Sequence, residues 1–115
     1  MASSPQHKRD ADYTKRKRQE AGRYVRRLRI ENDLTQVKLA EAVGIKYYTF
    51  ITQIESGKGR VPPEGLRDWA IALKVDPVEF AWNMLSFYDP ETYDVLKIDR
   101  LSKKERVNAT GRKEE

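Results

Sequence analysis

The 115-residue chain has no cysteine and a single histidine. Without thiols there is no disulfide framework and no thiolate metal site. His7, in a charged N-terminal stretch, leaves little for a metal site or a histidine-based catalyst. Long apolar runs are missing too. None approaches the ~20 residues that a membrane-spanning helix needs, and no apolar signal region follows the basic N-terminus. The expectation is a cytoplasmic chain with no membrane partner, no metal and no cofactor. Apolar residues make up 38% of the chain and charged residues 36%. That is polar for one domain with a modest core, so part of the chain is expected to be unfolded tail. No nucleophile–base pair, phosphate-binding loop or metal set is evident, and the chain is not expected to be an enzyme.

Positive charge is plentiful, and it is unevenly placed. Residues 1–29 hold ten Lys/Arg and three acids, a net +7, whereas the rest holds thirteen basic and fifteen acidic residues, a net −2. A basic front and a slightly acidic rear suit a polyanion that meets one side of the molecule. The bland alternative is a solubilising tail.

Periodicity gives the organisation. Residues 1–13 are polar without an apolar period and read as a disordered basic arm. Helix 1 is expected from about Thr14 to Asn32, with Ala21, Tyr24, Val25 and Leu28 as its apolar stripe. Thr35 is a fitting N-cap for a second helix. Gly44 supplies a sharp turn, and a third helix spans about Tyr47 to Ser56, closed by Gly57. A fourth helix starts near Pro63, with Leu66, Trp69, Ala70 and Leu73 at core spacing, and Asp76-Pro77 opens a fifth. The fifth has two apolar stripes. One is Val78, Ala81, Trp82 and Leu85; the other is Phe80, Met84, Phe87 and Tyr88. One can face the core, leaving the other for a partner. Residues 89–101 read as a short sixth helix, with a strand over Tyr93 to Ile98 as the weaker choice, and 102–115 as a disordered tail. Both tryptophans sit at packing positions. The fold class is all-α, a bundle of five or six helices, with residues 14–88 as its main unit.

The stretch Leu34 to Gly57 is the most specific. Leu39, Ala40 and Val43 form one apolar face, and Ile51 and Ile54 a second, on two short helices joined by a glycine-bearing turn. This is the pattern of a helix-turn-helix, whose second helix is free to enter a DNA major groove. The pattern T-Q-x-x-L-A-x-x-x-G (Thr35, Gln36, Leu39, Ala40, Gly44) is followed by I-x-x-I-E-x-G-K (Ile51, Ile54, Glu55, Gly57, Lys58). Together they resemble the Cro/CI-type, or XRE, helix-turn-helix family. The resemblance continues through Arg60 to Pro63 and Ala70 to Pro77, covering roughly Gly22 to Phe80. It implies a lambda-repressor-like bundle that binds double-stranded DNA.

By that resemblance helix 3 is the recognition helix, and Lys46, Tyr47, Tyr48, Thr49, Thr52 and Gln53 are its candidate base contacts. Gln can read adenine with both ends of its amide, Lys can read guanine, and Thr or Tyr can touch a thymine methyl or a phosphate. Phe50 is expected to pack in the core or the turn. Gln36 and Lys38 on helix 2, Lys58 and Arg60 after helix 3, and Lys15, Arg16, Lys17, Arg18, Arg23 and Arg26 on helix 1 are candidate phosphate contacts. Glu55 is expected to pair with Arg27 or Arg29. From Gly44 to Glu55 the chain holds one residue more than the usual family spacing, which shifts the register of Lys46 to Thr49 and leaves Thr52 and Gln53 the safer positions.

The resulting expectation is a transcriptional regulator of a bacterial nucleoid or a phage-infected cell: a homodimeric repressor on a palindromic operator. Its dimer surface is expected to be Phe80, Met84, Phe87, Tyr88, Tyr93 and Leu96. The alternative is an antitoxin-like protein that binds DNA and also neutralises a partner protein. A pure interaction module fits poorly with the basic front and basic helix 3.

Overall fold

A computed structural model describes residues 3–97, with side chains described from residue 11 onward. Helix α1 spans Ser3–Glu31, α2 Gln36–Ala42 and α3 Thr49–Ser56. A single 3₁₀ turn, Pro63–Gly65, leads into α4, Leu66–Ala72, and α5 spans Pro77–Tyr88. Residues 90–97 form a further helix, α6, and no strand occurs among the described residues. The weaker choice of a strand from Tyr93 is therefore not what forms. The expected tail, 102–115, and the end of the C-terminal extension lie outside the described residues.

Helix α1 is longer than its periodicity suggested. It starts at Ser3, not near Thr14, and takes in residues 3–13 of the stretch read as a disordered arm. No glycine or proline interrupts residues 6–21, and Ala, Arg, Lys, Gln and Glu dominate them. These are strong helix formers, and the helix can run on without an apolar stripe. At its other end Asn32 turns its amide back, donating to Leu28 O at 2.7 Å and to Leu73 O at 2.9 Å. One side chain thereby satisfies carbonyls at the ends of α1 and α4. Asp33 follows with φ 57°.

Local chemistry sets the other boundaries. Thr35 Oγ1 accepts Lys38 N at 3.0 Å and caps α2, and Asp76 Oδ2 accepts Glu79 N at 3.0 Å and caps α5. Such caps satisfy N–H groups that have no helical partner. Gly57, with φ 88°, ends α3 in the left-handed conformation.

The core gathers one apolar face from every helix from α1 to α5. Val25, Leu39, Ile51, Val61, Trp69, Leu73, Phe80 and Met84 are all but inaccessible. Each such large side chain stabilises the fold by ~1.5–3 kcal/mol. Tyr24 of α1 lies against Phe80 and Phe87 at ring separations of 6.0 and 5.7 Å, and its hydroxyl accepts Asn83 Nδ2 at 2.9 Å. These contacts dock α5 on α1.

The tightest approach is between α1 and α3. A Cβ on Gly22 would lie 2.3 Å from Glu55 O and 2.7 Å from Ile54 O. Only a residue without a side chain lets the two backbones meet there. Gly22→Ala should therefore lower stability by about 1–3 kcal/mol through overpacking, reduced by alanine's advantage of up to about 1 kcal/mol within a helix. Gly59→Ala is the control: its Cβ would sit at an ordinary 3.4 Å from Gln53 Cβ, so little change is expected. Urea unfolding of both variants checks the pair, and equal midpoints would contradict the close approach.

Candidate functional site

The orientation of α3 is fixed by one buried ion pair. Glu55 Oε2 accepts Arg29 Nε at 2.6 Å and its Oε1 accepts Arg29 Nη2 at 3.1 Å. The side chains are only 10% and 4% exposed. Arg29 Nη1 also donates to Leu34 O at 2.8 Å, which holds the start of the α2 segment. A planar guanidinium can make both contacts at once. Of the two arginines that sequence offered Glu55, it is Arg29 that pairs; Arg27 instead reaches Glu31 at 3.5 Å on the surface.

Gln36 extends this network. Its Nε2 donates to Glu55 Oε1 at 3.0 Å, and its Oε1 accepts Thr52 Oγ1 at 2.8 Å. Both ends of the amide are thus engaged inside the protein. The phosphate contact expected of Gln36 is left only the second Nε2 hydrogen, because the Glu55 carboxylate takes the first and Thr52 takes the oxygen. Thr52 is exposed, but its hydroxyl proton is already given to Gln36.

The turn before α3 lies between the C-cap Val43 and the N-cap Tyr48. Helix α3 begins at Thr49, two positions after Tyr47, and has no side-chain cap at Tyr48. Tyr47 O accepts Phe50 N at 3.1 Å and Tyr48 O accepts Ile51 N at 2.9 Å, a tight three-residue spacing typical of helix ends. Lys46, Tyr47, Tyr48 and Thr49 are all exposed there, as is Gln53 one helical turn on. Lys46 lies over the Tyr47 ring at 5.3 Å. These candidate base contacts are thus exposed, while Ile51 and Ile54 point to the core. Phe50 is a correction. Expected to pack, it is 56% exposed, because the core below α3 is already filled by Ile51 and Ile54.

The cations of α1 divide into two groups. Lys15, Gln19, Gly22 and Arg26 share one helical row, at spacings of four, three and four. Gln19 packs on Gly57 and Gly22 on Glu55, so Lys15 and Arg26 bracket the contact with the end of α3. Both are exposed, as are Arg16 and Arg23. Lys17 and Arg18 turn back instead. Lys17 lies 3.5 Å from Glu20 and 5.5 Å above the Phe87 ring. Arg18 is half-buried, and its Nε is covered without a hydrogen-bond partner. Their spacing puts them on the side of α1 that faces α5, which corrects their reading as outward phosphate contacts.

Beyond α3, Lys58 and Gly59 donate their amides to Gln53 O at 2.9 and 3.0 Å, which curls the loop against the helix. Lys38, Lys58 and Arg60 are exposed. The Arg60 guanidinium stacks on the Tyr88 ring at 4.3 Å, and Tyr88 OH accepts Val61 N at 3.0 Å. Burial raises the Tyr88 hydroxyl above its ordinary pKa, against the opposing pull of the Val61 amide and of the Arg60 and Arg18 charges. Tyr88 therefore stays neutral and anchors the loop that carries Arg60.

The expected dimer surface is largely overturned. Phe80 and Met84 are 0% and 1% exposed, and Phe87 and Tyr88 pack against the same core. Tyr24 meets Phe80 and Phe87, Lys17 lies over Phe87, and the Val61 amide donates to Tyr88. The outward stripe is Val78, Ala81, Trp82 and Leu85. With Leu66 and Leu96 it lines an open groove of about 800 Å³. Trp82 is half-buried and meets the edge of Tyr93 at 5.8 Å.

Among the described residues no cluster of His, Asp and Glu is arranged to hold a metal ion, and no helix is long and apolar enough to cross a membrane. Comparison with known proteins gives one family. Residues 25–80 match the model described as helix-turn-helix. No curated protein matches the chain significantly.

Glu55→Ala should cost about 3–5 kcal/mol, because it strands the Arg29 charge in a buried site. Glu55→Gln keeps an acceptor and should cost less. Chemical denaturation measures both, and a loss below ~1 kcal/mol for the alanine variant would mean that the pair does not hold α3.

Proposed function

Residues 25–80 place the chain in the XRE-type helix-turn-helix family, whose domain binds DNA, and on that premise we propose a sequence-specific regulator of transcription. It binds double-stranded DNA as a homodimer, with α3 in the major groove. The observation that supports this best is the division of labour around α3. One face is locked to the core and to Arg29, and the other presents exposed Lys46, Tyr47, Tyr48, Thr49 and Gln53 with no internal hydrogen bond among their side chains and those of other described residues.

Affinity and sequence choice come from different residues in this reading. Lys15, Arg16, Arg23, Arg26, Lys38, Lys58 and Arg60 neutralise phosphates and release counterions, which makes binding strongly salt-dependent. Gln53 and Lys46 read base edges, and the aromatic and threonine side chains fill in around them. Gln36 acts indirectly, by holding Thr52. Repression then requires only that the bound protein occlude a promoter.

A dimer reads two half-sites about one turn, ~34 Å, apart. The groove along α4, α5 and α6 is the surface assigned to it, on the strength of Val78 at 64% and Leu96 at 43% exposed. The antitoxin-like alternative would seat a different protein in the same groove. Val78→Glu separates the two: sedimentation of the wild type should give a dimer and of the variant a monomer, whereas a wild type that is monomeric at all concentrations favours the foreign partner.

The DNA reading is tested by enriching sequences from random duplexes and measuring affinity for the enriched and a scrambled duplex. Gln53→Ala should weaken specific binding by ~1–3 kcal/mol and leave the scrambled duplex unaffected. Arg26→Gln should weaken both alike and reduce the salt slope by about one. If Gln53→Ala weakens both duplexes equally, Gln53 does not read a base.

A further inference from the structure

The first turn of α3 exposes an aromatic ring that the fold does not use. Phe50 is 56% exposed, one residue before the fully buried Ile51. It stands three residues before Gln53, and the two share one face of the helix. With Lys46 on one side and Gly59, Arg60 and Pro62 on the other, they line a notch of about 410 Å³. No acid lines this notch. Its lining combines apolar Ile45, Phe50, Ile54 and Pro62 with two cations, Lys46 and Arg60.

That combination narrows what can occupy it. An apolar segment of a protein would gain from Phe50 but would bring no anion to either cation. A bare phosphate would answer the cations and leave the ring exposed. A thymine in the major groove does both, because its C5-methyl projects beside an oxygen acceptor and phosphates flank it. We propose that Phe50 is a sequence-reading residue that packs on the methyl group of a thymine, with Gln53 engaging the neighbouring base edge. This rests on the DNA-binding reading above and deepens it: the operator carries a thymine at a fixed place in each half-site, chosen by an apolar contact instead of a hydrogen bond.

The position makes the test clean. Phe50 supports no core contact comparable to those of Ile51 or Ile54, so Phe50→Ser should keep the melting temperature of the wild type, which is measured alongside. With the full-length chain and the duplex enriched from random DNA, each thymine is replaced in turn by deoxyuridine. This substitution removes the methyl and changes nothing else. One thymine per half-site should show about a fourfold loss of wild-type affinity, the effect of ~0.8 kcal/mol for one buried carbon. Phe50→Ser should bind the thymine and the deoxyuridine duplexes equally at that position.

A wild type insensitive to every thymine methyl overturns the proposal. So does a Phe50→Ser variant that loses as much as the wild type at the sensitive position. Either result leaves the DNA-binding reading intact, since a sequence was enriched. Failure to enrich any sequence removes that reading and this inference together.

Discussion

The setting of α3 against α1 and α2 depends on the pairing of Arg29 with Glu55. The two charges come from α1 and α3, are almost wholly removed from water, and meet at 2.6 and 3.1 Å. A buried ion pair is weak evidence for net stability, since apolar residues of the same size often do as well. Its contribution here is geometric. The guanidinium is planar and makes its bonds in fixed directions, so it sets α3 against α1 while a third bond, to Leu34 O, sets the approach to α2. Glu55 then passes the constraint to Gln36, and Gln36 passes it to Thr52. A side chain on the exposed face of α3 is thereby positioned by an arginine on another helix. Gly22 completes the arrangement by letting the backbones approach where any larger residue would separate them.

In the proposed DNA-binding function, the same constraint keeps affinity and specificity apart. Phosphate contacts need positive charge in roughly the right place, and flexible side chains on α1 and the loop after α3 suffice. Base reading needs a rigid edge. Thus Arg26 and Lys15 lie on the helical row of α1 that touches the end of α3, whereas Gln53 and Phe50 lie on a helix held by the ion pair below and by Gly57 at its end. Arg60 is intermediate: stacked on Tyr88, it is more restrained than an ordinary surface arginine. The neutral Tyr88 hydroxyl, tied to the Val61 amide, links that loop to α5.

Much of this was legible in the sequence, and the exceptions have physical causes. Thr35, Gly44, Gly57 and Asp76-Pro77 marked helix ends because their chemistry is local, and Leu39, Ile51, Ile54 and Trp69 were recognisable as core by period. The pairing of Glu55 with α1 was readable as a type of contact, but Arg27 and Arg29 could be separated only by their azimuth on the helix. The two stripes of α5 were equally apolar, and nothing within α5 ranked them. The choice was made by Tyr24 and Val61, far away in sequence. Phe50 was misread for the opposite reason: a phenylalanine signals burial, yet here the core position was already filled by its neighbour. The length of α1 was missed because a solvated helix of good helix formers carries no apolar period. The fate of the Gln36 amide could not be seen at all, since it depends on a carboxylate nineteen residues away.

The central claim is that α3 lies in the major groove. It is tested most directly by dimethyl sulfate protection on a duplex enriched for binding. The reagent reports guanine N7 in the major groove and adenine N3 in the minor groove. The account predicts that guanine N7 atoms are protected in two clusters about one helical turn apart, with adenine N3 unprotected between them. Protection confined to adenine N3, with every guanine N7 reactive, would contradict it.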